Sequence, residues 1–195
     1  MEGSQVIADA RRLVGSLGQL PVPQAQPAII VVSGLPGTGK SYFCRRLAER
    51  LPFLILESDA LRKLLFPAPS YSASESTHLF RTVYYLIEEL LGKGVPVILD
   101  ATNLEERHRE RIYSIAERLN ARLIMVRVEA PPELVQKRLQ ARAVKKNMED
   151  SSDADWTVYQ KMKTTVQQIS RNHFTVDTSR DITPVIDKIV REVNR

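Results

Sequence analysis

The 195-residue sequence predicts a doubly wound α/β domain. Three observations carry that prediction. Short runs of consecutive apolar residues recur along the chain, amphipathic stretches of helical period separate them, and polar or turn-forming residues stand where each apolar run stops. A strand covered on both faces is apolar at successive positions, and such strands alternating with helices form a parallel sheet with right-handed crossovers.

The elements follow in order. Val6, Ile7, Ala10, Leu13, Val14 and Leu17 lie at helical spacing, so Ser4 to Leu17 is an amphipathic helix. Pro21, Pro23 and Pro27 then impose an extended linker. Residues 1–27 are therefore expected to form an N-terminal helix and Pro-rich linker, and residues 28–195 the main domain. Ala28 to Ser33 is the first strand and Lys40 to Arg50 a helix. Phe53 to Glu57 is a strand, Asp59 to Phe66 a short helix and Glu75 to Leu91 a long one. Val95 to Asp100 is the third strand, Leu104 to Leu119 a helix, Arg122 to Val128 a strand and Pro132 to Ala143 a helix. After a polar stretch come a helix from Asp155 to Ser170, a strand from His173 to Asp177, and a helix from Thr183 to Val193.

Composition excludes several classes. Hydrophobic residues at 43% and charged residues at 26% suit a domain with a packed core, and neither repeats nor low-complexity tracts occur. Cys44 is the one cysteine, so neither a disulfide framework nor a thiolate zinc site is expected. No apolar run is long enough to span a bilayer, and the start of the chain does not read as a secretory signal. The expected compartment is the cytoplasm, with no membrane partner. A net charge of +5 favours anionic partners, weakly.

Gly34-Leu35-Pro36-Gly37-Thr38-Gly39-Lys40-Ser41 follows an apolar strand and opens a helix, the context required of a phosphate-binding loop. Glycines let the loop curl so that backbone N–H groups point at phosphate oxygens, and the helix N-terminus adds partial positive charge. Gly34, Pro36, Gly37, Thr38 and Gly39 would line the cradle, with Lys40 on the β- and γ-phosphates and the Ser41 hydroxyl on Mg²⁺. The motif points to a bound nucleotide.

Two further strand ends carry carboxylates, where doubly wound sheets place their ligands. Asp59 follows the second strand, three residues before Arg62. It serves either as a helix cap or as the base that takes a proton from an attacking hydroxyl, with Arg62 on an anionic part of the acceptor. Asp100 ends the third strand and can orient Mg²⁺. Thr102 and Asn103, at the same mouth, either contact the acceptor or cap the next helix.

Arg138 and Arg142 share a helix face. Lys137, Arg138, Arg142, Lys145 and Lys146 have no acidic residue among them. This basic stretch, running into Asn147 to Asp153, is either a solvated face or a lid over about residues 138–153 that brings arginines to the phosphates.

Together, Gly34 to Ser41, Asp59-x-x-Arg62, Asp100-Ala-Thr-Asn103 and Arg138-x-x-x-Arg142 resemble the P-loop kinases grouped with polynucleotide 5′-hydroxyl kinases, zeta-toxin-like kinases and chloramphenicol-phosphotransferase-like enzymes. The segment Ser152 to Trp156 is also similar to small members of the group. The resemblance spans about Ile29 to Asp177. It implies the P-loop NTPase fold with a five-stranded parallel sheet of order 2-3-1-4-5, and ATP with Mg²⁺. It also implies Asp59 as general base, Arg62 as an acceptor-phosphate ligand, and Arg138 and Arg142 as arginines that stabilise the transferring phosphate. The strand-three carboxylate of polynucleotide kinases stands one place later, at Ala101 here. The acceptor is thus a nucleic-acid 5′ end or the hydroxyl of a nucleoside, sugar or antibiotic. A non-catalytic ATP-binding module is the remaining alternative.

Other positions read as structural. Cys44 is a core residue, Trp156, Tyr159 and Met162 pack on the domain, and His78, His108 and His173 have no metal-ligand spacing. Glu105 to Arg111 reads as a solvated helix face.

Overall fold

The computed structural model describes residues 2–103, 105–145 and 154–195. Five strands, β1 (Ala28–Ser33), β2 (Leu54–Glu57), β3 (Val97–Asp100), β4 (Arg122–Glu129) and β5 (His173–Asp177), form one sheet. All neighbours pair in parallel, and the order is β2-β3-β1-β4-β5, as the resemblance implied. Val32 is level with Asp100 and Val126, and Glu57 is level with Asp100. The carboxyl ends of β2, β3 and β1 therefore open at nearly one height, where the polar residues gather, while β4 runs on beside β5 to Glu129.

Successive side chains of a strand point to opposite faces, and β1 divides accordingly. Ile29 and Val31 enter a core with α4 (Ala73–Gly92) and α5 (Glu106–Arg118). Ile30 and Val32 enter the other, with Phe43 and Leu47 of α2 (Lys40–Ala48) and Ile186 and Ile189 of α8 (Thr183–Val193). The short α3 (Ser58–Leu65) joins the first core through Leu61.

The first helix, α1 (Glu2–Ser16), lies against that first core and buries Ala10 and Leu13 completely. Asp9 meets His78 of α4 at 2.8 Å, and Arg12 donates to the Leu64 carbonyl at 2.5 Å. The linker runs close over Gly94, whose φ is +79° and where a Cβ would come within 2.7 Å of the Gln24 carbonyl. Among the described residues no helix is long and apolar enough to cross a membrane.

Two expectations are corrected. The helix expected over Asp155 to Ser170 is α7 (Trp156–Lys163), half as long. β-branched Thr164, Thr165 and Val166 follow it, and the two threonine hydroxyls donate back to the Lys161 and Met162 carbonyls, closing the helix end. Residues 166–170 then run without helix. The Glu105 to Arg111 run is not wholly solvated, since Arg109 is 1% exposed. The extended segment after α7 packs over it and supplies carbonyl acceptors for the buried charge.

Candidate active site

The phosphate-loop sequence forms a tight turn between β1 and α2. Gly37 and Gly39 have φ of +77° and +95°, conformations that only glycine adopts without strain. Gly34 is required for a different reason: a Cβ there would meet the Val128 carbonyl oxygen at 2.4 Å. Thr38 donates to the Leu35 carbonyl at 2.7 Å, and Lys40 Nζ reaches the same carbonyl at 3.1 Å. Gly39 caps α2 without a side chain, so the first N–H groups of that helix stay open to an anion.

A cleft of about 670 Å³ opens above this turn. Pro36, Gly37, Gly39, Lys40 and Ser41 line it from the loop, Asp59 from β2's end, and Asp100 and Thr102 from β3's end. Arg138 and Arg142 line it from α6 (Pro132–Lys145). Gly34 and Thr38 shape the loop from behind. Of the lid expected over about 138–153, residues 146–153 lie outside the described residues.

Asp100 is 3% exposed, and its Oδ2 has no hydrogen-bond partner. Burial raises its pKa, while Lys40 and the Ser41 hydroxyl act to lower it and the Asp59 charge raises it further. A buried carboxylate with an unused oxygen beside a serine hydroxyl fits a divalent cation. Asp59 sits in the first turn of α3, but the N-cap is Glu57 and no side chain caps that helix. The capping alternative for Asp59 therefore fails. It fails also for Thr102 and Asn103, because Glu105 occupies the N-cap of α5.

Two expected acceptor residues lie elsewhere. Arg62 is buried and ion-paired with Glu75 of α4, and it does not line the cleft. Glu75 also accepts from the Ser70 amide at 2.7 Å and the Ser70 hydroxyl at 2.8 Å. Burial raises the Glu75 pKa, but the bonds from Arg62 and Ser70 outweigh it and hold the carboxyl at about 2. Asn103 is buried outside the cleft with φ +46° and an amide without partners. Its carbonyl accepts from the Ser33 hydroxyl at 3.0 Å and from Arg109 at 2.6 Å.

Arg138 faces protein groups here. It donates to the Thr178 hydroxyl at 2.8 Å and the Thr178 carbonyl at 3.0 Å. Thr178 in turn donates to the Thr38 carbonyl at 2.6 Å. Thr178 thus links α6, the loop after β5 and the phosphate loop, and sequence reasoning missed it. A polar residue just past a fifth strand was the available signal. Tyr42, Arg45, Glu57 and Ser58 also line the cleft and were not anticipated.

A phosphate loop at the carboxyl edge of a 2-3-1-4-5 parallel sheet, with carboxylates ending β2 and β3, defines the P-loop kinase class. The chain belongs to the P-loop kinase family whose model is described as an AAA domain (AAA_33), which matches residues 29–169. It is 30% identical over 142 residues to L-seryl-tRNA(Sec) kinase of Methanococcus maripaludis, a match covering 67% of this chain and 54% of that one. The chain thus spans about half the length of this curated relative. Two solved structures share the fold. Chaetomium thermophilum Kti12 in complex with ADP-AlF3 superposes with a TM-score of 0.68 at 21% identity, over 83% of this chain and 96% of that one. Mycobacterium tuberculosis APS kinase CysC in complex with AMPPNP and APS gives 0.66 at 15% identity, over 89% and 100%. None of the three is a polynucleotide kinase by name.

Proposed function

We propose that the protein is an ATP-dependent kinase using Mg²⁺, and that its acceptor hydroxyl is carried by a nucleic acid, as in the polynucleotide 5′-hydroxyl kinases. One observation carries the reaction type. The Asp59 carboxylate, Lys40, Ser41 and the unused oxygen of Asp100 converge on one cleft. The basic net charge and the tRNA-linked acceptor in the curated relative's name support the acceptor class.

The chemistry follows from positions. Backbone N–H groups of residues 37–41 and Lys40 bind the β- and γ-phosphates. Ser41 and Asp100 would hold Mg²⁺, which when bound neutralises charge on the phosphate oxygens. Asp59 takes the proton of the acceptor hydroxyl as its oxygen bonds to the γ-phosphorus, and the bond from that phosphorus to the β–γ bridging oxygen breaks to release ADP. Arg138 and Arg142, on α6 at the rim, offset charge on the transferring group once Arg138 leaves Thr178.

A small-molecule hydroxyl is the second reading, and the closed Arg62–Glu75 pair favours it, because the expected ligand for a strand phosphate is already engaged. Transfer from radiolabelled ATP to 5′-hydroxyl oligonucleotides, beside a panel of nucleosides, sugars and other alcohols, separates the two. Labelled oligonucleotide with steep loss of binding at high salt is expected. Label on a small alcohol alone establishes the second reading. ATP binding with transfer to nothing makes the chain a binding module and overturns both.

A further inference from the structure

Four basic side chains line the cleft: Lys40, Arg45, Arg138 and Arg142. Lys40 belongs to the cradle, and α6 contributes two. Arg45 is unassigned. It lies four residues after Ser41 on α2, so the two share a helix face. The residue is exposed, and among the described residues its guanidinium makes no hydrogen bond or ion pair. The same cleft is lined by Ser58 and Asp59. An exposed arginine is ordinary, but one lining a cleft near a candidate base is not explained by solvation alone. Arg62 cannot stand in for it without breaking a buried pair, which is costly.

A second feature lies alongside. Tyr42 also lines the cleft, is 50% exposed, and stands three positions before Arg45 on the same helix. A guanidinium next to an accessible ring is the combination that receives a phosphate and the flat group it is attached to.

We propose that Arg45 is the anion-binding residue of the acceptor site. Its guanidinium receives a phosphate of the acceptor near the hydroxyl that faces Asp59, and the Tyr42 ring forms the adjoining wall. The acceptor is therefore a phosphate-bearing alcohol, either a nucleic-acid end or a small phosphorylated molecule. This inference rests on the kinase function proposed above.

The test measures binding to the full chain of a 5′-hydroxyl oligonucleotide, a nucleoside 3′-phosphate, the same nucleoside without phosphate, and glycerol phosphate. Arg45→Gln should weaken the phosphate-bearing probes by about 10–100-fold. For the oligonucleotide it should reduce the salt slope by about one. Arg45→Lys should restore part of the loss. Affinity for ATP and for the unphosphorylated nucleoside should stay unchanged, as should the melting temperature. Oligonucleotide and nucleoside-phosphate binding that also weakens in Tyr42→Ala identifies a nucleic-acid acceptor; an Arg45 effect on glycerol phosphate alone identifies a small one. Equal affinities in Arg45→Gln and the unmodified protein would overturn the proposal, as would failure of every phosphate-bearing probe to bind or an equal loss of ATP affinity. Continued transfer from ATP to any alcohol in those cases sinks Arg45 alone, whereas ATP binding unaffected by Lys40→Ala sinks the kinase reading beneath it.

Discussion

The Arg109 guanidinium donates to the Asn103 carbonyl at 2.6 Å and so ties the mouth of β3 to the segment that follows α7. Its other bonds go to the Gln167 carbonyl at 3.0 Å, the Gln168 carbonyl at 2.8 Å and the Glu106 carboxylate at 2.5 Å. Since the Thr102 carbonyl accepts the Gly34 amide at 3.1 Å, the same loop also supports the phosphate cradle. Arg109→Met leaves several acceptors unpaired and should cost about 2–4 kcal/mol in denaturant unfolding. Arg109→Lys should recover only part, because one ammonium cannot span the fork.

The Arg62–Glu75 pair gives a pH signature. The folded-state pKa of Glu75 is depressed to about 2 from 4.5, so its stabilisation is complete above the unfolded value. As pH falls below about 4.5 the unfolded chain takes the proton first, and the contribution shrinks until pH reaches about 2. Thermal melts between pH 5 and pH 2.5 (about the window concerned) should fall more steeply for the unmodified protein than for Glu75→Gln. Parallel slopes would show that the pair does not contribute.

Gly34→Ala tests the close approach of the cradle to β4. The added carbon cannot lie 2.4 Å from the Val128 carbonyl oxygen, so the loop must shift. The expected result is a loss of about 1–3 kcal/mol in stability together with weaker ATP binding, by calorimetry. A variant indistinguishable from the parent would mean that the loop has slack.

Cys44 should be chemically silent. Burial raises its thiol pKa well above the ordinary value, with the Asp100 charge adding to the effect. Thiolate is the reactive form, so titration with a thiol reagent at neutral pH should be slow in the folded protein and fast in denaturant. Rapid labelling of the native chain would show that this core opens.

The sheet was legible because four of its five strands carry consecutive apolar residues and the fifth, β5, alternates Phe174 and Val176 with polar ones, and the cradle because its glycines, lysine and serine answer separate physical needs at fixed spacing. Asp59, Asp100, Arg138 and Arg142 could be found from strand ends and helix spacing, and all four line the cleft. What the sequence did not disclose depends on long-range packing. Arg109 stands in a run of charges that resembles any solvated face, and it becomes buried only because the chain leaves α7 at Thr164. Arg62 meets a carboxylate 13 residues away, through a loop whose path has no sequence signature. Arg45 looks like a routine helix surface until the cleft is seen.

Phosphoryl transfer by Asp59→Asn tests the central claim most directly. With an acceptor identified by the screen, the substitution should lower turnover by about 10²–10⁴-fold while leaving ATP affinity nearly intact. Transfer at the full rate in that variant would contradict the assignment of Asp59 as the base.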